Sequence, residues 1–270
     1  MSDYVLGHGA AELERLVKQS EFFGVLTRQL WREAGLAPGM TVLDIGCGAG
    51  DTTLLAAELV GPSGRVIAID RSGEALALVR WRAAAAGLAN VELVEGDIAE
   101  LSLDRPVDAL VGRLVLMYFR DQAAALRRLA RHVRPGGLIV LQEIDTLGGR
   151  CDPPSELWDV TLRRVDQAFV AGGAEPRMGT KLLAAFLGAG LPRPQLLLGA
   201  RVESGADSVA YEVLAGIART LLPVMEKAGI ATAAEVGIDS LAARLREDAV
   251  AREATVYAPP LIGAWTRTSP

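Results

Sequence analysis

Short apolar runs alternate with helical stretches between residues 40 and 145, and this alternation constrains the fold more than any other feature of the sequence. The runs are continuously apolar, as expected of parallel strands that are buried on both faces. Strands that alternate with helices predict right-handed β-α-β units and therefore an α/β, doubly wound, mainly parallel sheet. The predicted strands lie at 41–45, 66–69, 91–94, 107–111 and 138–142, and the predicted helices lie at 51–60, 73–86 and 121–134.

The remaining residues add helices and two more strands around this core. One apolar stripe over residues 10–34 predicts a helical N-terminal arm that packs. No linker rich in serine, proline or charge separates the two halves, so we predict a single domain over residues 1–270. Its predicted parts are an arm at 1–35, a cofactor-binding core at 40–145, helical lid insertions at 146–194 and 204–256, and final strands at 195–203 and 261–267.

Charge and composition disfavour several classes of protein. The chain has 28 basic and 33 acidic residues, a net charge of −5, which disfavours a nucleic-acid partner. No uncharged apolar stretch approaches the roughly 18 residues that span a bilayer, so we predict no membrane span. Asp3 and the lack of a continuous apolar segment near it argue against an export signal and predict a cytoplasmic protein. Cys47 and Cys151 are isolated from any histidine cluster, so no bound metal is expected.

The segment VLDIGCGAGD at 42–51 is a buried strand that runs into closely spaced glycines and then a helix. Such a turn opens the ligand crevice of a parallel sheet, but Asp51 stands where the dinucleotide fingerprint requires a third glycine. A carboxylate there would compete with a pyrophosphate for the helix N-terminus. Asp70 lies twenty residues after Gly50, a spacing at which a carboxylate can accept both ribose hydroxyls. The pattern therefore predicts a nucleoside ligand without a pyrophosphate.

The series VLDIGCGAGD, VIAID, EGDI, DALVGRLVLMYF and RPGGLIVLQE resembles the class I S-adenosylmethionine-dependent methyltransferases over residues 40–145. Within them it is most similar to the small-molecule branch of ubiquinone and menaquinone methyltransferases. The resemblance implies a Rossmann-like sheet of seven strands with an antiparallel last strand, for which residues 261–267 are suitably placed. It also implies S-adenosyl-L-methionine as cofactor, S-adenosyl-L-homocysteine as product and a small-molecule substrate. A homo-oligomer is left open.

The resemblance further implies which residues bind the cofactor. Gly46 and Gly48 would flank its methionine part, and Asp70 would bind the ribose. Asp97 could hold the adenine or cap the turn that follows it, since Glu100 lies at capping-box spacing. The full set is Tyr4, Gln19, Asp44, Gly46, Gly48, Asp70, Arg71, Asp97, Ile98 and Arg113. For Asp44, orientation of the glycine turn or of a bound water, and satisfaction of buried backbone groups, are both open.

Two residues are candidates for a general base, which is needed only if the acceptor arrives protonated. His8 lies between two glycines in the arm segment that the resemblance folds over the site, and Glu143 follows the fifth predicted strand. The predicted substrate-binding residues are Tyr118, Asp145 and Arg177. An ordinary packed or solvated role is the alternative for each of these three.

These observations predict an enzyme that methylates an oxygen or carbon of a small, largely apolar metabolite, such as a quinone-like compound or a natural product. The alternative is a protein that binds the same cofactor without methyl transfer, as a cyclase, a rearrangement catalyst or a regulatory binder. A nicotinamide dehydrogenase is disfavoured by Asp51.

Overall fold

A computed structural model describes the backbone of residues 10–270 and the side chains from Phe22 onward. The helices are α1 (Ala10–Ala34), α2 (Asp51–Val60), α3 (Gly73–Ala85), α4 (Gln122–Leu129), α5 (Glu156–Ala171), α6 (Met178–Gly188), α7 (Ala210–Lys227), α8 (Ala233–Val236) and α9 (Leu241–Ala251). The strands are β1 (Thr41–Ile45), β2 (Arg65–Asp70), β3 (Val91–Glu95), β4 (Val107–Arg113), β5 (Val133–Ile144), β6 (Arg150–Asp152), β7 (Gln195–Gly199), β8 (Val202–Ser204), β9 (Thr255–Tyr257) and β10 (Leu261–Arg267).

Seven strands form the main sheet, in the order β3-β2-β1-β4-β5-β10-β7. Strand β1 pairs in parallel with β2 and β4, and β10 runs antiparallel to both β5 and β7. The predicted doubly wound sheet with an antiparallel last strand is therefore confirmed. The strand order reverses between β1 and β4, which places the ligand crevice at the carboxyl ends of these two strands.

Helices cover both faces of the sheet. Neighbouring strand residues point to opposite faces, so Val42 packs with α1 and α2, whereas Leu43 packs with α4 and α6. Trp31 of α1 is completely buried on the first face, and Phe186 of α6 is completely buried on the second. The two faces therefore carry separate apolar layers that hold the strand ends in place.

The segment predicted as the first lid insertion divides into two parts. Helix α5 packs against α7 and the turn Thr146–Gly148, beyond the carboxyl end of β5. Helix α6, however, packs against β5 and β10 on the sheet itself. Gly179 allows this close approach, because a Cβ there would lie 2.9 Å from the carbonyl oxygen of Glu143. Of the helices in the two predicted lid insertions, α5, α7 and α9 therefore pack against one another, whereas α6 packs on the sheet, and their function as a lid stays a prediction.

Residues 195–203 do not form one strand. Strand β7 ends at Gly199, and β8 instead pairs with β9 in a second, three-stranded sheet that also contains β6. Arg201 lies at this break, where its guanidinium stacks 4.8 Å from the ring of Phe22 and pairs with Glu203 at 2.5 Å. These contacts direct the chain from the main sheet toward α1 and the lid.

The segment around Pro135–Gly137 is an irregularity within β5 and not a helix-to-strand turn. Helix α4 already ends at Leu129, and β5 begins at Val133. Its pairing with β4 shifts register there, since Val133 lies opposite Val107 and Leu138 lies opposite Ala109. The extra residues of β5 bulge out between these two pairs.

Candidate functional site

The turn after β1 depends on three glycines. Gly46, Gly48 and Gly50 have φ of 61°, 51° and 87°, in the left-handed region that favours glycine. A Cβ on Gly46 would lie 2.7 Å from Cγ2 of Val115, and one on Gly50 would lie 2.7 Å from Cγ2 of Val79. The turn therefore has both a conformation and a closeness of packing that only glycine provides.

Asp70 joins the end of β2 to this turn. Its Oδ2 accepts a hydrogen bond from the N–H of Gly48 at 2.8 Å, and its Oδ1 accepts one from the N–H of Ser72 at 3.0 Å. Ser72 in turn caps α3 by accepting from the N–H of Ala75. Asp70 thus fixes the position of the glycine turn, and its predicted contact with a ribose stays a prediction.

Asp44 is completely buried beneath the turn. Its Oδ2 accepts the hydroxyls of Thr52 and Thr53 at 2.9 and 2.7 Å, which ties β1 to the first turn of α2. Its Oδ1 has no hydrogen-bond partner among the described residues. Burial raises the pKa of Asp44 to about 7, against the lowering effect of the two threonines. These contacts support orientation of the glycine turn, one of the two predicted roles.

The ends of β2 and β3 bring three further predicted residues together. The guanidinium of Arg71 pairs with the carboxylate of Asp97, which also accepts the N–H of Ala99 at 2.8 Å, and Ile98 is buried beside it. Burial alone would raise the pKa of Asp97, but the N–H of Ala99 and the guanidinium of Arg71 hold it below its ordinary value. Asp97 therefore stabilises the turn after β3, which leaves its predicted adenine contact open.

The chain carries a known domain over this site. Residues 36–168 match a family model described as a methyltransferase domain. This segment belongs to the class I S-adenosylmethionine-dependent methyltransferases. The family predicted from the sequence motifs is confirmed.

Three relatives illustrate the extent of the similarity. A trans-aconitate 2-methyltransferase of Azoarcus sp. (strain BH72) is 36% identical over 115 residues, which are 43% of this chain and 43% of that protein. A demethylmenaquinone methyltransferase of Staphylococcus aureus is 33% identical over 120 residues, 44% of this chain and 49% of that protein. The solved structure of the YcgJ protein from Bacillus subtilis superposes with a TM-score of 0.59 at 18% identity, covering 91% of this chain and 98% of that one. The chain thus matches less than half the length of these two curated relatives.

The described residues of the methyltransferase domain fit S-adenosylmethionine, the methyl donor of the family. The backbone at Gly46 and Gly48 is only partly buried, and a carboxylate follows each of the next two strands of the sheet, Asp70 at the end of β2 and Asp97 after β3. The unpartnered Oδ1 of Asp44 leaves one further acceptor beneath the turn. These groups would hold the methionine part, the ribose and the adenine in that order along the strand ends.

Arg113 is the last residue of β4, and it contacts Asp51, the residue that follows the glycine turn. Its Nη2 lies 3.4 Å from Oδ2 of Asp51, whose Oδ1 lies 2.6 Å from Nη1 of Arg82. Burial lowers the pKa of Arg113, while the charges of Asp51 and Asp44 oppose this change. Two guanidinium groups thus share one carboxylate at the N-terminus of α2, where a negative charge is favourable.

Thr27 of α1 connects the arm to this network. Its hydroxyl donates to Oε1 of Gln142 at 2.7 Å and accepts from Nη1 of Arg113 at 3.2 Å. The sequence reasoning missed both Thr27 and Gln142. Gln142 interrupts an apolar run at the carboxyl end of β5, and that interruption is the signal that could have identified it.

The two predicted bases are placed differently. Glu143 is completely buried, and its Oε1 accepts the N–H groups of Val115 and Leu116. Burial raises its pKa to about 8, although these backbone hydrogen bonds act to lower it. Its burial favours a structural role over proton transfer to an acceptor. His8 and Tyr4 lie outside the described residues, as does the side chain of Gln19, so their predicted roles stay predictions.

The predicted substrate residues lie near the carboxyl ends of β4 and β5. Tyr118 is buried, Asp145 is half-buried and Arg177 is exposed. Arg177 Nε lies 3.9 Å from Oδ1 of Asp166, a buried carboxylate of α5 that accepts the hydroxyl of Thr146 at 2.6 Å. Tyr118 lies in the 3-10 turn Leu116–Tyr118 after β4, Asp145 follows β5, and Arg177 precedes α6. Asp166 and Thr146, which anchor the lid, carried no sequence signal because neither belongs to a motif.

Among residues 10–270, no helix is both long and apolar enough to cross a bilayer. Among the side chains described from Phe22 onward, no group of histidine, cysteine, aspartate and glutamate is arranged to hold a metal ion.

Proposed function

We propose that this protein transfers a methyl group from S-adenosylmethionine to an oxygen or carbon atom of a small, largely apolar metabolite. One observation carries the choice of acceptor. The largest apolar cluster extends from β4 and β5 to α1 and to the helices α5, α7 and α9. Its aromatic members outside the sheet are Phe22, Phe23, Tyr118, Phe119, Trp158, Phe169, Phe186 and Tyr211.

The mechanism that follows is one of positioning. When bound, the cofactor supplies an electrophilic methyl group on a sulfonium sulfur. Displacement at this carbon needs an acceptor atom aligned with it at about 3–3.5 Å, so the contribution of the protein is to hold both partners still. The glycine turn, fixed by Asp70 and Asp44, holds one partner. The lid helices α5 and α7 exclude water, which favours a reaction in which opposite charges neutralise each other.

A hydroxyl acceptor also requires removal of a proton. We propose His8 as the general base, because it lies just before α1 in the sequence, and α1 contacts Arg113 at the carboxyl end of β4 through Thr27. Glu143 is the weaker candidate, since its carboxyl is 0% exposed. A carbon acceptor that is already nucleophilic would need neither residue.

The names of the relatives support a small-molecule acceptor. One is named for trans-aconitate, an anion, and another for demethylmenaquinone, which is largely apolar. The aromatic cluster of this chain favours an acceptor of the second kind. Because the chain matches less than half of each relative, neither acceptor is transferred to it as such.

The decisive experiment incubates the purified protein with methyl-labelled S-adenosylmethionine and a panel of phenols, hydroxyquinones and polyketides, with trans-aconitate as the polar comparison. We expect release of S-adenosylhomocysteine together with a labelled apolar product. Labelling of trans-aconitate alone would contradict the apolar acceptor. Tight binding of S-adenosylhomocysteine with no label transferred to any compound would instead favour a binder or cyclase.

A further inference from the structure

We infer that Glu143 is a positioning residue that holds the turn after β4 against the glycine turn, and that cofactor affinity depends on it. The inference deepens the proposed function, because it concerns the wall of the same cofactor site. It starts from an unusual cap. The short 3-10 helix Leu116–Tyr118 has no side-chain cap from its own N-cap residue, Val115. Instead, Oε1 of Glu143 accepts the N–H of Val115 at 3.0 Å and that of Leu116 at 2.6 Å.

The backbone just before this cap has an uncommon conformation. Leu114 has a φ of 57°, a left-handed conformation that is unfavourable for leucine. Its N–H donates to the carbonyl oxygen of Gln142 at 2.9 Å. Two consecutive residues of β5 thus hold three consecutive N–H groups, those of residues 114, 115 and 116. Without the carboxyl group, two of these donors would be buried and unpaired at the strained point of the chain.

The held turn forms one wall of the cofactor site. The side chain of Val115 lies so close to Gly46 that a Cβ on the glycine would approach Cγ2 of the valine to 2.7 Å. At the start of the turn, Arg113 reaches Asp51 at the first residue of α2. A displacement of the turn would therefore move Val115 away from Gly46 and Arg113 away from Asp51, on both sides of the predicted methionine subsite.

The surroundings of the Glu143 carboxyl group suit a residue that holds the turn better than they suit a general base. Glu143 is completely buried, and its Oε2 has no hydrogen-bond partner among the described residues. Its burial favours the neutral acid near pH 7. A neutral acid can keep accepting both N–H groups with Oε1 and needs no buried counter-charge. Glutamine has the same shape and the same carbonyl acceptor, whereas leucine has a similar volume and no acceptor.

The test compares E143Q, E143L and E143D with the wild type and with E247L, a control at an exposed glutamate of α9. Calorimetry with S-adenosylhomocysteine should give a Kd within about twofold of wild type for E143Q and E247L, and a Kd raised at least tenfold for E143L. Hydrogen exchange of the unliganded proteins should show faster exchange of residues 113–118 in E143L and E143D but not in E143Q or E247L, with β1 and β2 still protected. A folded E143L that binds as the wild type does would overturn the inference.

If E143L does not fold, the pair E143D and E143Q decides. Aspartate is one methylene shorter and cannot reach both N–H groups, so we expect at least fivefold weaker binding for E143D and near-normal binding for E143Q. Equal losses in the two variants would also overturn the inference. The exchange measurement needs no ligand, so it tests the turn even if the wild type binds no cofactor, a result that would contradict the proposed function instead.

Discussion

The carboxylate of Asp70 accepts a hydrogen bond from the backbone N–H of Gly48 at 2.8 Å, so the acid at the end of β2 and the glycine turn after β1 form one structural unit. In a parallel sheet these two strand ends are adjacent, and the contact lies where the crevice opens. The residue predicted to bind the ribose therefore also shapes the subsite for the methionine part.

Replacing Asp70 by alanine is expected to weaken binding of S-adenosylhomocysteine by about 1.5–3 kcal/mol, the range for hydrogen bonds to a charged group. This corresponds to a roughly 10- to 150-fold increase in Kd. Calorimetry on D70A would measure it, with D207A as the control, because Asp207 lies exposed in the loop before α7. An unchanged Kd in folded D70A would remove this residue from the cofactor site.

Replacing Gly46 by alanine should also impair the site, through shape and not through charge. The new Cβ would lie 2.7 Å from Val115 at a φ of 61°, so the turn must shift. We expect at least a tenfold higher Kd for S-adenosylhomocysteine. The matched control is G24A in α1, where a Cβ meets nothing within 4 Å. That change should leave binding intact and stabilise the helix by up to about 1 kcal/mol. Similar Kd values for the two variants would contradict this view of the turn.

Replacing Thr27 by valine should destabilise the protein by about 1–3 kcal/mol, because Oε1 of Gln142 loses its hydroxyl donor and Arg113 keeps only its contact with Asp51. Valine has nearly the same shape, so little packing is lost. Urea unfolding monitored by circular dichroism would give the difference in the free energy of unfolding. The double variant T27V/Q142L should recover part of the loss, since it removes one orphaned group. A loss that is the same in both variants would show that the Thr27–Gln142 hydrogen bond contributes little.

The buried carboxyl of Glu143 should make stability depend on pH with a defined sign. Its pKa is raised from 4.5 to about 8 in the folded state, so the folded protein binds more protons than the unfolded chain between these values. The stability of the wild type relative to E143Q is then fully present below pH 4.5, falls as pH rises toward 8 and is constant above it. The slope can reach about 1.4 kcal/mol per pH unit. Unfolding of both proteins by urea from pH 5 to 9 would measure the difference, and a difference that grows with pH would refute the assignment.

The main sheet could be predicted closely because buried parallel strands are continuous apolar runs. Strands β1 to β4 begin and end within about two residues of their predicted bounds. The second sheet could not be predicted, because β6, β8 and β9 have three residues each, too few for a period to emerge. Helix α6 was assigned to the lid because helical periodicity does not tell which surface a helix covers.

The sequence predicts those parts of the site whose residues stand at a characteristic spacing along the chain. The glycine turn and Asp70 are of this kind, and the structure brings them into contact. The group formed by Thr27, Arg113 and Gln142 is of the other kind, since its members lie on three different elements and meet only in the folded protein. Glu143 was identified by its place at the strand end, but only its burial and its backbone partners show what it contacts.

The bulge in β5 lies before the regularly paired part of the strand that leads to the site. Regular pairing with β4 resumes at Leu138 opposite Ala109, downstream of the irregular residues. Inserting a residue at 134–137 would therefore change the bulge and its contacts with Asp108 and Thr268, while the pairs from Leu138 onward fix the register of the rest of β5. A change of length at the amino-terminal end of β5 would therefore leave Gln142 and Glu143, at the other end of the strand, facing the same partners.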